Sequence, residues 1–182
     1  MKLGQQEIIF SNGQHQGTRA EQQDYFAFSL EEVDENTLSG AIIVLADGMG
    51  GHVGGASASV IAVDKFIEVI KQYPISPLSP ATTEKIKLAL SQANQTVVKA
   101  AGNTNMGTTF IAILLDEKSY QWISVGDSVI FRIRYGKIQR LNWAHNVGTR
   151  VDRELAAGKI SPKEAEEQQH KRHYLTSFIG QE

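Results

Sequence analysis

Four residues of this chain could do chemistry together: Arg19, Asp24, Asp47 and Asp127. Asp24 opens a strand-like run, DYFAFSL. Asp47 closes another, the apolar stretch 41–46. Asp127 sits in Gly126-Asp127-Ser128, a turn between two strand-like segments. All three can lie at one end of a sheet sandwich. Carboxylates joined by a backbone carbonyl from a glycine loop are hard oxygen ligands suited to Mg2+ or Mn2+. Arg19 adds a planar cation that can hold a phosphate bidentately. Metal ions beside an arginine make a phosphoester-hydrolysis site: the metals generate hydroxide from water and neutralise the phosphoryl oxygens. Taken singly, each residue is ordinary. Asp47-Gly48 reads as a turn, Asp127 as a hairpin turn, Asp24 as the start of a strand and Arg19 as a solvated surface charge.

Glycines 48, 50, 51, 54 and 55 make the loop after Asp47 thin enough for a ligand to approach its backbone. Neither familiar nucleotide loop fits it. A dinucleotide fingerprint needs G-x-G-x-x-G, and Val53 stands at the third glycine. A P-loop needs lysine after its second glycine, and Ala56 stands there instead. A nucleotide-binding module is therefore a weak third reading, and it makes no use of Asp47.

The elements that must position these residues can be read from hydrophobic period. Short strands are expected over 7–11, 24–30 and 41–46, pairing antiparallel, with an acidic exposed loop over 31–40. Val60, Val63, Ile67 and Ile70 recur at helical spacing within 53–73. Ser79-Pro80 starts a second helix that runs to about Ala101, with Ile86, Leu90, Ala93 and Val97 on one face. From Gly107 the period becomes two. Strands are expected over 108–115, 120–125, 128–134 and 137–141, as a meander of hairpins. After Ala144 the pattern is helical again, and Ser161-Pro162-Lys163-Glu164 carries a capping-box signature. This order is α+β: two antiparallel β-sheets in a sandwich flanked by α-helices.

Composition narrows the partners. The chain has 182 residues, enough for a single domain over 1–182. Its net charge of −2 gives no argument for nucleic acid. It contains no cysteine, which excludes disulfides and thiolate metal sites. No apolar run approaches the roughly 18 residues of a membrane span, and the N-terminus lacks a signal-peptide core. The reading is a cytoplasmic monomer with no membrane partner. His170 and His173 read as surface residues.

Arg19-Ala-Glu-Gln-Gln23-Asp24 resembles the Arg-x-x-x-Glu-Asp motif of the PP2C-like (PPM) metal-dependent serine/threonine phosphatases, and Asp47-Gly-Met-Gly-Gly-His52 resembles their Asp-Gly-Met-Gly-Gly-His motif in its bacterial form. Gly107-Thr-Thr, Val125-Gly-Asp127-Ser and His145 follow in the family's order. GKISPKE, 158–164, is similar to its flap, here the region 144–180. The resemblance implies that Asp47 bridges two metals, that the Gly48 carbonyl binds one, and that Asp24 holds metal-bound water. It implies further that Arg19 binds the substrate phosphate, that Asp127 helps hold a third metal, and that His52 and His145 are structural. The substrate would be a phosphoserine or phosphothreonine protein, the product of a serine/threonine kinase. Met49 cannot donate a proton, so the leaving alkoxide takes one from water or another group. Gln23, Ala56, Val129 and Ala144 depart from the family pattern, and its later Asp-Gly and Asp-Asn motifs are not in this sequence. The alternative is therefore a catalytically inactive relative that binds phosphoproteins. The missing motifs also carry core strands, so an unpaired sheet edge and exposed apolar positions are expected.

Overall fold

A computed structural model describes residues 1–34, 37–49, 53–73 and 77–181. The expected role of His52, the loop glycines Gly50 and Gly51, and Pro74 lie outside the described residues. In chain order the strands are β1 (Lys2–Leu3), β2 (Gln6–Glu7), β3 (Asp24–Asp34), β4 (Thr37–Met49), β5 (Gly107–Thr108), β6 (Phe110–Asp116), β7 (Tyr120–Val125), β8 (Phe131–Arg134) and β9 (Lys137–Arg140). The helices are α1 (Val53–Ile70), α2 (Pro80–Ala101), α3 (Val147–Ala156) and α4 (Pro162–Glu167).

The apolar, β-branched run around Ile42 makes β4 the central strand of a seven-stranded sheet. On one side β4 pairs antiparallel with β3, from Asp24 opposite Asp47 to Asp34 opposite Thr37. On its other side lie β6 and β5, both antiparallel, and the short β1, which is parallel. β7 follows β6 as a hairpin. The acidic loop expected over 31–40 is instead mostly strand. β3 continues to Asp34 and β4 begins at Thr37, with a register shift after Glu31. Their ladder persists because Ser39 bonds Glu31 across it and β1 supports its far end. The strand expected over 7–11 is reduced to the ribbon of β1 and β2.

Successive β4 residues point to opposite faces. Ile42, Val44 and Ala46 are buried against the helix pair. The α1 stripe is rotated from the one expected: Ala58, Ala62, Val63, Phe66, Val69 and Ile70 are buried, while Val60 is 38% exposed. Alanines at 58, 62, 89 and 93 let helices and sheet approach closely enough to exclude solvent. Ile86 and Val97 of α2 complete this layer, with Leu90 only partly buried. At its centre the rings of Phe66 and Phe110 meet at 5.0 Å between centroids, both fully buried.

The opposite sheet face is open. Leu45, Tyr120 and Trp122 are all exposed there, and Phe26 and Phe28 are only partly buried. β3 has no second strand partner among the described residues. β8 and β9 form a separate two-stranded antiparallel sheet. The meander is thus broken between β7 and β8. Asn142 explains the break: its side chain accepts from Ile130 N and donates to Ser128 O, turning residues 128–130 away from β7. On this ribbon Phe131, Ile133 and Ile138 are more than half exposed.

The region after β9 is helical as expected. Asn146 caps α3 by accepting from Thr149 N, and Ser161 with Glu164 forms the predicted capping box of α4. Ser79 is an extended N-cap for α2 without a side-chain bond. No described helix is long and apolar enough to cross a membrane.

Removing the central ring should test this layering. Phe66→Ala is expected to cost about 3–5 kcal/mol in urea unfolding. Ile138→Ser, on the exposed ribbon, should change stability by no more than about 0.5 kcal/mol.

Candidate metal and phosphate site

Asp24 begins β3 and Asp47 stands near the end of β4, and the ladder places them directly opposite each other. Directly opposed residues share a face of the sheet, here the open one. The two carboxyls lie close enough for each to act on the other's ionisation. Burial against the sheet end, then the charge and hydrogen bond of Asp24, then the charge of Asp127 push the Asp47 carboxyl up to about 6; the charge of Arg19 pulls it partly back. The surroundings of Asp47 are dense, yet its side chain still has an exposed surface. Solvent therefore screens part of the repulsion.

Thr109 clamps the backbone of Asp47 from both sides. Its hydroxyl accepts from Asp47 N at 3.0 Å, and its own N–H donates to Asp47 O at 2.9 Å. The same hydroxyl bonds Ser128 Oγ at 2.7 Å, one residue beyond Asp127. Gly126 makes that approach possible. Its φ is +98°, and a Cβ there would lie 2.7 Å from the Thr109 methyl. The Asp127 turn is thus packed onto the Asp47 clamp, which explains why Asp127 acts on Asp47 by charge.

Asp24 is positioned from behind. The carbonyl of Gln23 accepts from Gly48 N at 3.0 Å and from Ser59 Oγ at 2.7 Å. Ser59 is fully buried on α1, so this bond ties the helix to the residue before Asp24. Gly48 is buried and opposite Thr108, and a methyl on it would overlap the Gly55 carbonyl oxygen. The side chain of Gln23 lies against Gly55. Arg19 is exposed in a turn held by the Gln16 side chain, which donates to Arg19 O at 2.7 Å. His145 has the structural place expected of it. Its N–H donates to Gly126 O, and its ring accepts weakly from Gly126 N at 3.4 Å. His170 and His173 are exposed.

The structure therefore joins Asp24 and Asp47 in contact and brings Asp127 and Arg19 within electrostatic reach. Thr109 and Ser59 were not singled out from the sequence as positioning residues. Thr109 lay within the quoted Gly107-Thr-Thr, but nothing local tells which strand its hydroxyl serves. A cavity of about 310 Å³ opens beside the pair, lined by Gln14, Phe26, Phe28, Leu45 and Ser128 as well as by both aspartates. Two apposed carboxylates whose mutual repulsion favours a bound positive charge fit a hard divalent cation. Among the described residues, no group of three or more His, Asp or Glu lies close enough to hold an ion by itself.

Comparison with known proteins identifies the family. The pattern of the family described as protein phosphatase 2C matches residues 13–173. Protein phosphatase PhpP of Streptococcus pneumoniae is 30% identical over 149 residues, covering 80% of this chain and 58% of PhpP. The serine/threonine phosphatase stp of Listeria welshimeri is 27% identical over 137 residues, covering 73% of this chain and 53% of stp. The structure of the S. agalactiae serine/threonine phosphatase superposes with a TM-score of 0.72 at 26% identity, covering 90% of this chain and 64% of that one. The chain spans a little over half the length of these two relatives. With the motifs in register along most of its length, the chain belongs to the protein phosphatase 2C family.

Proposed function

We propose that this chain is the metal- and phosphate-binding part of a protein serine/threonine phosphatase, acting on proteins phosphorylated at serine or threonine by a kinase. The observation that carries the proposal is the Asp24–Asp47 pair, two carboxyls held opposite each other across the ladder, with Asp127 and Arg19 within electrostatic reach. Family membership supports the same reading.

Asp24, Asp47 and the Gly48 carbonyl would hold a divalent cation, Mn2+ or Mg2+, with Asp127 contributing negative charge nearby. Once bound, such an ion supplies an ionisable water and offsets the charge of the phosphoryl oxygens. The protein's own groups do the rest. Arg19 donates to two phosphate oxygens and orients the ester. Asp24 accepts a hydrogen bond from the attacking water. Thr109 keeps Asp47 from turning away from the site. Met49 has no proton to give, so the leaving alkoxide is protonated from solvent.

Release of phosphate from a phosphothreonine peptide should require Mn2+ and should disappear in Asp47→Ala. Arg19→Ala should retain Mn2+ binding and lose about 10²-fold in kcat/KM. If Mn2+ neither binds nor promotes release, the proposal fails. Peptide binding without release would leave a phosphoprotein-binding role instead.

The raised Asp47 carboxyl has a further consequence for stability. Its folded-state pKa, about 6, lies above the ordinary 3.8, so the folded state holds the proton more tightly than the unfolded state. In EDTA that contribution is fully present below pH 3.8 and is lost as pH rises through 6. Asp47→Asn should therefore melt about 1–3 °C above the wild type at pH 8, and no higher at pH 3.5. Thermal melts across this range would contradict the assignment if the variant gained nothing at high pH.

A further inference from the structure

A second charged cavity lies outside the carboxylate site. It has a volume of about 370 Å³ and runs along α3. His145, Thr149, Arg150, Arg153, Lys159 and Thr176 line it, and Glu154 is the one carboxylate among its lining residues. Its three cations are not neutralised. None of them makes an ion pair among the described residues, whose ion pairs lie elsewhere. Arg150 donates to the neutral Gln168 Oε1 at 3.0 Å. The neighbouring Arg172, by contrast, is held by both oxygens of Asp152, at 2.8 and 2.6 Å. Three positive charges thus surround one cavity, in a chain whose net charge is −2.

The inner end of this cleft adjoins the proposed reaction site. His145 N donates to Gly126 O at 2.8 Å, and His145 O accepts from Thr176 N at 2.9 Å. Gly126 immediately precedes Asp127. Arg150 and Arg153 are three residues apart on α3, so they share one helical face. From Val147 to Arg153 the helix rises about 9 Å, and with the extended residues 145–146 before it an extended peptide spans the cleft in about three to five residues.

We propose that the α3 cleft is a subsite for acidic side chains of the substrate, carboxylates lying about three to five residues from the phosphorylated one. The proposal rests on the phosphatase reading for the position of the phosphate. Arginine forks at 150 and 153 match a carboxylate in shape and charge, and Lys159 adds a point charge at the outer end. Specificity then comes from charge at a distance from the chemistry, and it weakens as salt rises.

Fluorescein-labelled phosphothreonine peptides carrying either glutamate or lysine at those distances, on both sides, provide the test. Binding is read by anisotropy with Mn2+ at low salt. The glutamate peptide should bind about tenfold more tightly than the lysine peptide, and the gap should shrink in high salt. The variant Arg153→Glu/Lys159→Glu should lose or reverse the preference. Both side chains are exposed and make no hydrogen bond among the described residues, and circular dichroism confirms that the variant is folded. Arg153→Gln, which only removes charge, should fall between the two. Equal binding of the two peptides, or an undiminished preference in the double variant, overturns the subsite. A glutamate preference that depends on these residues but ignores phosphorylation supports the cleft and overturns the phosphatase reading. Dependence on phosphate without glutamate preference does the reverse.

Discussion

Two carboxylates face each other at the end of the longest ladder in the molecule, and much of the structure serves to keep them there. Asp24 and Asp47 are in register across β3 and β4. Like charges so placed repel, and left alone they would fray the strand ends. They stay because the ladder behind them is anchored. Val44 and Ala46 on β4 are fully buried against α1, and β3 is bonded to that strand along its length. Thr109 then grips Asp47 at both backbone groups, and Ser59 with Gly48 grips the carbonyl before Asp24. The repulsion is thus borne by a rigid frame and relieved locally by the charge of Arg19.

The two faces of this sheet differ in consequence. Behind it, alanines and a pair of phenylalanines in tilted contact let the helices pack to full burial. In front, the same alternation carries apolar side chains to an open surface that ends in the two aspartates. The cavity beside the pair has an apolar floor of Phe26, Phe28 and Leu45 and a charged end. A low-polarity wall of this kind strengthens any electrostatic interaction made next to it. The same wall explains why burial is the first cause of the Asp47 shift even though the carboxyl keeps an open side.

Charge beyond the site is arranged with similar economy. Arg172 is spent on Asp152, which secures the segment after α4 to α3. Arg150, Arg153 and Lys159 are left around the α3 cleft without carboxylate partners. His145 links the two regions through Gly126, so the helical segment is docked against the turn that carries Asp127.

Short-range physics made several features legible in the sequence alone. The capping box at Ser161 and Glu164, the break at Gly107 to a period of two, and the limits of α2 and β7 all depend on neighbours within a few residues. Asp47 was legible too, because a carboxylate beside a glycine-rich turn at a strand end is a local signature. Only the tertiary structure decided the rest. The stretch 31–40 reads as an acidic loop, but the partner strand and β1 hold it in a ladder. Val60 fits an apolar stripe, yet the alanines at 58 and 62 are the residues that face the sheet. The turn at Asp127 reads as a hairpin, but Asn142 draws the chain away. Thr109 reaches Asp47 across 62 positions of sequence, and no local pattern encodes such a bond. The amino-acid sequence determined which groups could do the chemistry; register and long-range hydrogen bonds decided which of them meet, because both depend on partners far along the chain.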